Sequence, residues 1–270
     1  MGKREAFAAV AVPILVATIY WLPPIIFLGL LSAAVVLAAD EMLAMARGAG
    51  VAAGRRVPLL MLVALLVSSW HWGVIGMAVA AITAVIVLPT AQLAHARAPE
   101  GGLTGSAVTT LTVLYLGLCG ACLGWLRLVP EGDLGVSLLF FFLAAIWLGD
   151  SGAYYIGSRF GRHRMSPRIS PNKTWEGLAG GAMATFAAAA ASKLVFGLPW
   201  SWGHMAALAA ILAVAAPVGD LVESQFKRDT RVKDSSTLIP GHGGLLDRTD
   251  SLLYAAPPVL GYLLAFGLIG

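Results

Sequence analysis

Gly105–Arg127 reads GSAVTTLTVLYLGLCGACLGWLR. From Leu111 to Leu126 it holds neither a charge nor a histidine, and the whole quoted stretch exceeds the roughly 20 residues that a helix needs to cross a bilayer. The rest of the chain has the same character. Of 270 residues, 59% are hydrophobic even without glycine and 12% are charged. A soluble domain runs at about 45–50% apolar with glycine included and about 25% charged. One globular core of this size could not hide so much apolar side chain, which excludes a soluble enzyme, a disordered chain and a disulfide scaffold. The fold class expected is all-α, a polytopic membrane helical bundle. Cys119 and Cys122 make a C-x-x-C inside the quoted run. A thiolate is disfavoured in such surroundings and no second ligand pair for zinc exists, so the two read as small packing residues.

Apolar runs long enough to span lie near 6–22, 24–39, 57–73, 75–94, 105–127, 134–152, 177–197, 202–219 and 252–269, which makes nine transmembrane helices. Lys3 and Arg4 before the first run resemble a signal peptide. No small-residue cleavage site follows and a second apolar run comes at once, so the first run is read as a span. Trp21, Trp72, Trp175, Trp200 and Trp202 fall near expected helix ends, where an indole suits the interface. With nine spans, 16 of the 18 basic residues share one side with the N-terminus, and Arg127 and Lys193 fall on the other. The positive-inside rule makes that rich side cytoplasmic and puts the C-terminus opposite. No linker or repeat divides the chain, so residues 1–270 read as a single integral membrane domain. The seventh span is rich in glycine and alanine, which lets helices approach closely within the chain or between two copies in a homodimer.

Charge is concentrated in two segments on the cytoplasmic side, 150–176 and 220–251. Asp150 and Asp220 are expected to close the sixth and eighth spans, where a carboxylate meets the negative end of the helix dipole. Carboxylates at membrane depth are costly and commonly functional. Asp220, Glu223 and Ser224 stand at i, i+3 and i+4, as do Asp247, Asp250 and Ser251, so each set shares a face if its helix continues. Asp247 and Asp250 also precede the last span, where acids are stabilised in any case. Gly241, Gly243 and Gly244 permit close backbone approach and offer N–H groups for phosphate oxygens. His242 among them reads equally well as a structural histidine or a phosphate donor. Asp220 to Asp250 carries five bases and six acids, so it should repel a polyphosphate unless cations intervene. One or two Mg²⁺ ions, hard cations that bridge carboxylates and phosphates, would reverse that sign. The 150–176 segment is already net basic.

The stretch SQFKRDTRVKDSSTLIPGHGGLLDRTD, Ser224 to Asp250, resembles the signature of phosphatidate cytidylyltransferases (CDP-diacylglycerol synthases). Ser170-Pro-Asn-Lys-Thr-Trp-Glu-Gly177 and Asp150-Ser-Gly-Ala-Tyr154 are similar to further motifs of that family. The motifs cover the C-terminal half. The first five spans, about 6–127, match only as a generic membrane scaffold, and the catalytic region falls to the last four spans and loops 150–176 and 220–251.

The resemblance implies a nucleotidyltransferase of phospholipid biosynthesis in a bacterial-type inner membrane. It would move CMP from CTP to phosphatidic acid with Mg²⁺, one or two divalent ions, with a monovalent ion as an option, and with no nucleic-acid partner. Phosphatidate, whose second pKa lies near 6, is a dianion at pH 7 and needs no general base. The expected catalytic set is Asp220, Lys227, Arg228, Lys233, Asp247 and Asp250. Metal would fall to Asp220 and Asp247, with Asp250, Asp234 and Asp150 behind them. Ser170, Lys173, Thr174, Ser224, His242, Gly243, Gly244 and Arg248 would contact substrate. A CTP-dependent kinase of a membrane alcohol would use many of the same parts but requires a base. An ion-coupled transporter would need such acids near the bilayer midplane.

Overall fold

A computed structural model describes residues 13–95, 100–129, 133–238 and 243–269. Its helices in chain order are α1 (13–21), α2 (Pro24–Gly48), α3 (Arg56–His95), α4 (Gly102–Arg127), α5 (Leu134–Phe160), α6 (Trp175–Phe196), α7 (Trp202–Asp229) and α8 (Leu246–Ala265). Among the described residues, the six helices α2 to α7 are long and apolar enough to cross a membrane. The chain is an integral membrane protein built almost wholly of helix. The departure from an all-α chain lies between α5 and α6, where a loop was expected. There β1 (Arg164–Ser166) pairs antiparallel with β2 (Ser170–Thr174). Glu176 holds that hairpin to the start of α6, accepting from the backbone N–H of Arg162 at 3.1 Å and of His163 at 3.2 Å and meeting His163 Nδ1 at 2.5 Å.

The 40 residues of α3 would stretch about 60 Å as one helix, twice the hydrocarbon thickness of a bilayer. Gly73 breaks it, with φ 66° and ψ −147°, a backbone that only glycine adopts readily. The chain doubles back there. Gly76 comes so close to the Ser68 carbonyl that a Cβ would collide with it. Met61, Ala64 and Ser68 before the break line one groove with Gly76, Ala80 and Thr83 after it. At the open end Gln92 Nε2 donates to Ala52 O at 2.5 Å. The sequence divides two spans at this same glycine.

The chain folds into two compact units whose boundaries fall inside α4, α7 and α8. The first takes the described residues up to Gly124 together with Phe226–Thr249. Its core joins Leu28, Leu31 and Val35 of α2 to Leu62, Leu65 and Leu66 of α3 and Leu116 of α4. On α4, Gly117 takes Leu62 and Leu65, Gly120 takes Val35 and Leu66, and Gly124 takes the Trp70 indole against bare backbone, as small residues do where helices meet in lipid. Trp70 Nε1 donates to Ala121 O at 3.3 Å beside Gly124. Cys119 is buried, Cys122 half-buried, and both are free thiols in the middle of α4.

The second unit holds Trp125–Gln225 and Asp250–Gly270, apart from its few undescribed residues. Here the glycine-rich α6 packs on α5 within the chain. A Cβ on Gly152 would come 2.7 Å from Ala184 Cβ, and one on Gly180 would come 2.5 Å from Ile156 Cβ. Thr185 Oγ1 donates to Ala145 O at 3.2 Å across the same seam. Thr174 caps α6 by accepting from Gly177 N at 3.1 Å. Trp200, expected at an interface, is instead buried, its indole donating to Leu268 O at 3.1 Å.

Several boundaries differ from the sequence reading: α2 runs on to Gly48, and α8 starts at Leu246, so Asp247 and Asp250 lie within it rather than before it. Asp150 and Asp220 do not close their helices: α5 continues to Phe160 and α7 to Asp229. The extension of α5 is held by the glycine seam, since Gly157 lies against Gly177. Nothing in Leu221–Asp229 breaks a helix, and α7 stops in a Schellman turn, with Val232 N donating to Lys227 O at 2.9 Å. Both acids therefore project from helix interiors.

Candidate active site

In the second unit three carboxylates converge. Asp220 and Glu223 on α7 and Asp250 on α8 each offer an oxygen within 4.8 Å of the others. The i, i+3 spacing puts the first two on one face, and Gly219 brings α8 to them. A Cβ at Gly219 would lie 2.5 Å from Tyr254 Cβ and 3.0 Å from Asp250 O, so only glycine allows this approach. Glu223 and Asp250 are buried, whereas Asp220 is partly open to solvent. Lys173, the fourth residue of β2, reaches Asp220 Oδ2 at 2.7 Å and donates to Pro217 O at 3.3 Å. Ser224 donates to Asp220 Oδ1 at 3.2 Å. Asp150, exposed on α5, lies within electrostatic reach of both Lys173 and Asp220.

Carboxylates this close repel one another when ionised. An all-oxygen donor set, two members buried and one open, is the chemistry that suits a hard divalent cation. Ser170 and Thr174 stand in the strand beside Lys173, with Ser170 paired to Ser166 across the hairpin. Thr174 Oγ1 serves as the α6 cap.

In the first unit a second acidic centre is built on different lines. Asp247 on the first turn of α8 meets Lys227 Nζ through Oδ1 at 2.6 Å. Its Oδ2 accepts from Ser235 N at 2.9 Å, Ser235 Oγ at 2.8 Å and Gly244 N at 2.7 Å. Beside it lies Glu41 of α2, a residue the sequence reading left in the scaffold. Glu41 Oε1 accepts from Ser236 Oγ at 2.6 Å and Leu245 N at 2.9 Å, and Oε2 from Ser235 Oγ at 2.8 Å and Leu246 N at 2.9 Å.

The glycines of this loop have a use the sequence did not disclose. A Cβ on Gly244 would run into Ser235 Oγ and the Glu41 carboxylate, and Gly243 takes φ +78° with a virtual Cβ 2.6 Å from Asp247 Oδ2. Gly244 thus gives its N–H to Asp247 rather than to a phosphate. Gly241 and His242 lie outside the described residues.

Of the expected site residues, Asp220, Ser224, Asp250, Lys173 and Asp150 therefore gather in one unit, and Lys227, Asp247 and Gly244 in the other. Arg228, Lys233, Asp234 and Arg248 are solvent-facing. Glu223 joins the carboxylates although only its helical spacing had drawn notice. Glu41 is not evident from hydropathy because Asp40 and Glu41 stand just past an apolar run that ends at residue 39. The signal available was a pair of acids on a continuing helical period.

Residues 2–266 match the sequence profile of the cytidylyltransferase family. The chain is 41% identical over 156 residues to the phosphatidate cytidylyltransferase of Bacillus subtilis, covering 58% of this chain and 57% of that protein. It is 40% identical over 144 residues to the one from Brucella suis, covering 53% and 52%. With the Haemophilus influenzae protein of the same name it shares 42% identity over 128 residues, 46% of this chain and 44% of the relative. The aligned part thus spans about half the length of these relatives. With a profile match that runs nearly from end to end, the chain belongs to the cytidylyltransferase family.

Proposed function

We propose that this protein transfers CMP from CTP to phosphatidic acid, releasing pyrophosphate and forming CDP-diacylglycerol in a bacterial plasma membrane. The observation that carries the reading is the trio Asp220, Glu223 and Asp250 with Lys173 at its edge, set on the helices of a membrane protein whose relatives bear that enzyme's name. In the reaction a phosphatidate oxygen bonds to the α-phosphorus of CTP while the bond from that phosphorus to the bridging oxygen breaks. The nucleophile is already ionised, so no side chain need remove a proton. What remains is to align two anions and offset their charge.

The trio would hold Mg²⁺, which when bound supplies Lewis-acid neutralisation of phosphate charge. Lys173 both offsets Asp220 and presents a cation to substrate phosphate. Lys227 is oriented by Asp247, and Arg228, Lys233 and Arg248, in the same sequence motif and exposed, would offset charge on the triphosphate or its leaving group. Nine spans, counted with the α3 hairpin as two, would put the N-terminus and these loops in the cytoplasm, where CTP is, and the C-terminus on the far side. The decisive assay incubates detergent-solubilised protein with CTP and phosphatidate, with Mg²⁺ or with EDTA, and separates the lipid products. CDP-diacylglycerol formed only with the metal is expected. A phosphorylated lipid with free CDP would indicate a kinase instead, and ion flux without CTP a transporter.

A further inference from the structure

Glu41, next to Asp40 in the last third of the largely apolar α2, is 8% exposed. An acid at such a position is expensive unless satisfied. Its four hydrogen bonds come from residues 194 to 205 positions away in the sequence, all of them in the segment that leads into α8. Two are backbone N–H groups at the start of α8, where a helix leaves its donors without internal partners. The other two are neighbouring serine hydroxyls. Ser235 has one hydroxyl proton and stands between Glu41 Oε2 and Asp247 Oδ2 at 2.8 Å from each, so the two carboxylates are joined through it. Asp247 in turn grips Lys227 Nζ at 2.6 Å.

We infer that Glu41 is a positioning residue for the transfer reaction: it anchors Ser235, Ser236 and the Leu245–Leu246 start of α8, sets Asp247 through Ser235, and so fixes where the Lys227 ammonium stands. The inference rests on the proposed cytidylyl transfer for its kinetic consequence and on geometry alone for its structural one. Glutamine in place of Glu41 keeps the shape but loses acceptor capacity. Its amide nitrogen, facing Leu245 N or Leu246 N, would set donor against donor. Asp247 would remain, on a looser support. Groups that align charge in a transition state lose rate when they drift by even an ångström.

The test compares full-length parent, Glu41→Gln and Ser236→Ala in detergent with CTP, phosphatidate and Mg²⁺. It reads kcat, KM for each substrate, and hydrogen exchange at the Leu245 and Leu246 amides. Glu41→Gln is expected to speed exchange at both amides and to lower kcat roughly 10- to 100-fold, as loss of an outer supporting partner commonly does. The KM for phosphatidate should stay within about twofold, since a residue that touches no substrate removes only transition-state alignment. Ser236→Ala, which deletes one of the four donors, should move kcat the same way by a smaller factor. A kcat within about twofold of parent in both variants overturns the inference, as does a raised KM with kcat intact. Should Glu41→Gln not fold, Ser236→Ala decides by the same criterion. If the parent itself makes no CDP-lipid, the proposed function fails. The exchange rates still judge Glu41, and unchanged protection at Leu245 and Leu246 sinks the anchoring role.

Discussion

The Lys173 ammonium stands 2.7 Å from Asp220 Oδ2 and ties the β-hairpin between α5 and α6 to the middle of α7. The pair is partly open, and its direct contribution to stability is small for that reason. Its consequence is positional, because it brings a cation to the one member of the carboxylate trio that solvent reaches. Lys173→Met should leave thermal unfolding within a few degrees of parent while cutting CDP-lipid formation at least ~10-fold, since one charge-aligning group is lost. Retained turnover in a folded Lys173→Met protein would remove this lysine from the site.

The trio makes a demand that distinguishes Glu223 from a packing residue. Glu223→Gln keeps the volume and removes one anionic oxygen ligand. The Mg²⁺ concentration for half-maximal rate should rise about 10- to 100-fold, with activity partly restored at high Mg²⁺. A metal titration that superimposes on that of the parent would exclude Glu223 as a ligand. Asp247→Asn offers the contrast: the rate should fall with little change in the Mg²⁺ midpoint, since Asp247 serves Lys227.

Gly219 sets the spacing of α7 and α8, so Gly219→Ala should be worse than its chemistry suggests. A methyl group 2.5 Å from Tyr254 Cβ forces the helices apart, at a cost of about 1–3 kcal/mol. The matching observation is a lowered Tm together with a raised Mg²⁺ concentration for half-maximal rate. An unshifted Tm would mean that the helices have room to spare.

Arg231 ends α7 with φ 60°, in the left-handed region where glycine is usual. Arg231→Gly relieves strain of about 1 kcal/mol and should raise Tm slightly. If the arginine is kept for its charge, kcat/KM for CTP should fall in the same variant. Unchanged kinetics would leave the arginine without a role in CTP handling.

Removing the α6 cap tests how far the hairpin depends on that helix. Thr174→Val deletes the acceptor for Gly177 N and should cost ~1 kcal/mol in unfolding free energy. Lys173, one residue before it, should lose alignment, so activity should decline beyond what the stability change explains.

Much of this protein was legible in the sequence because it follows from local properties. A run such as Leu111–Leu126 must be a buried or lipid-facing helix whatever surrounds it, since an unpaired backbone is too costly there. The division of the apolar stretch into runs 57–73 and 75–94 already anticipated the fold of α3. The i, i+3 spacing of Asp220 and Glu223, and of Asp247 and Asp250, already placed each pair on one helical face. Helix ends were less legible, because the glycine seam that carries α5 on to Phe160 is made with a different helix.

The sequence by itself determined that the chain lives in a membrane, that its charge is gathered into two segments, and which acids sit on shared helical faces. These depend on hydropathy and on the 3.6-residue period, which act within one segment. Only the tertiary structure decided that Asp250 joins Asp220 and Glu223, that Asp247 serves Lys227, and that Glu41 anchors a loop some two hundred residues away. Those pairings are settled by which backbones can approach, at Gly219 against Tyr254 and at Gly244 against Glu41, and by the need of every buried carboxylate for donors that its own helix cannot supply.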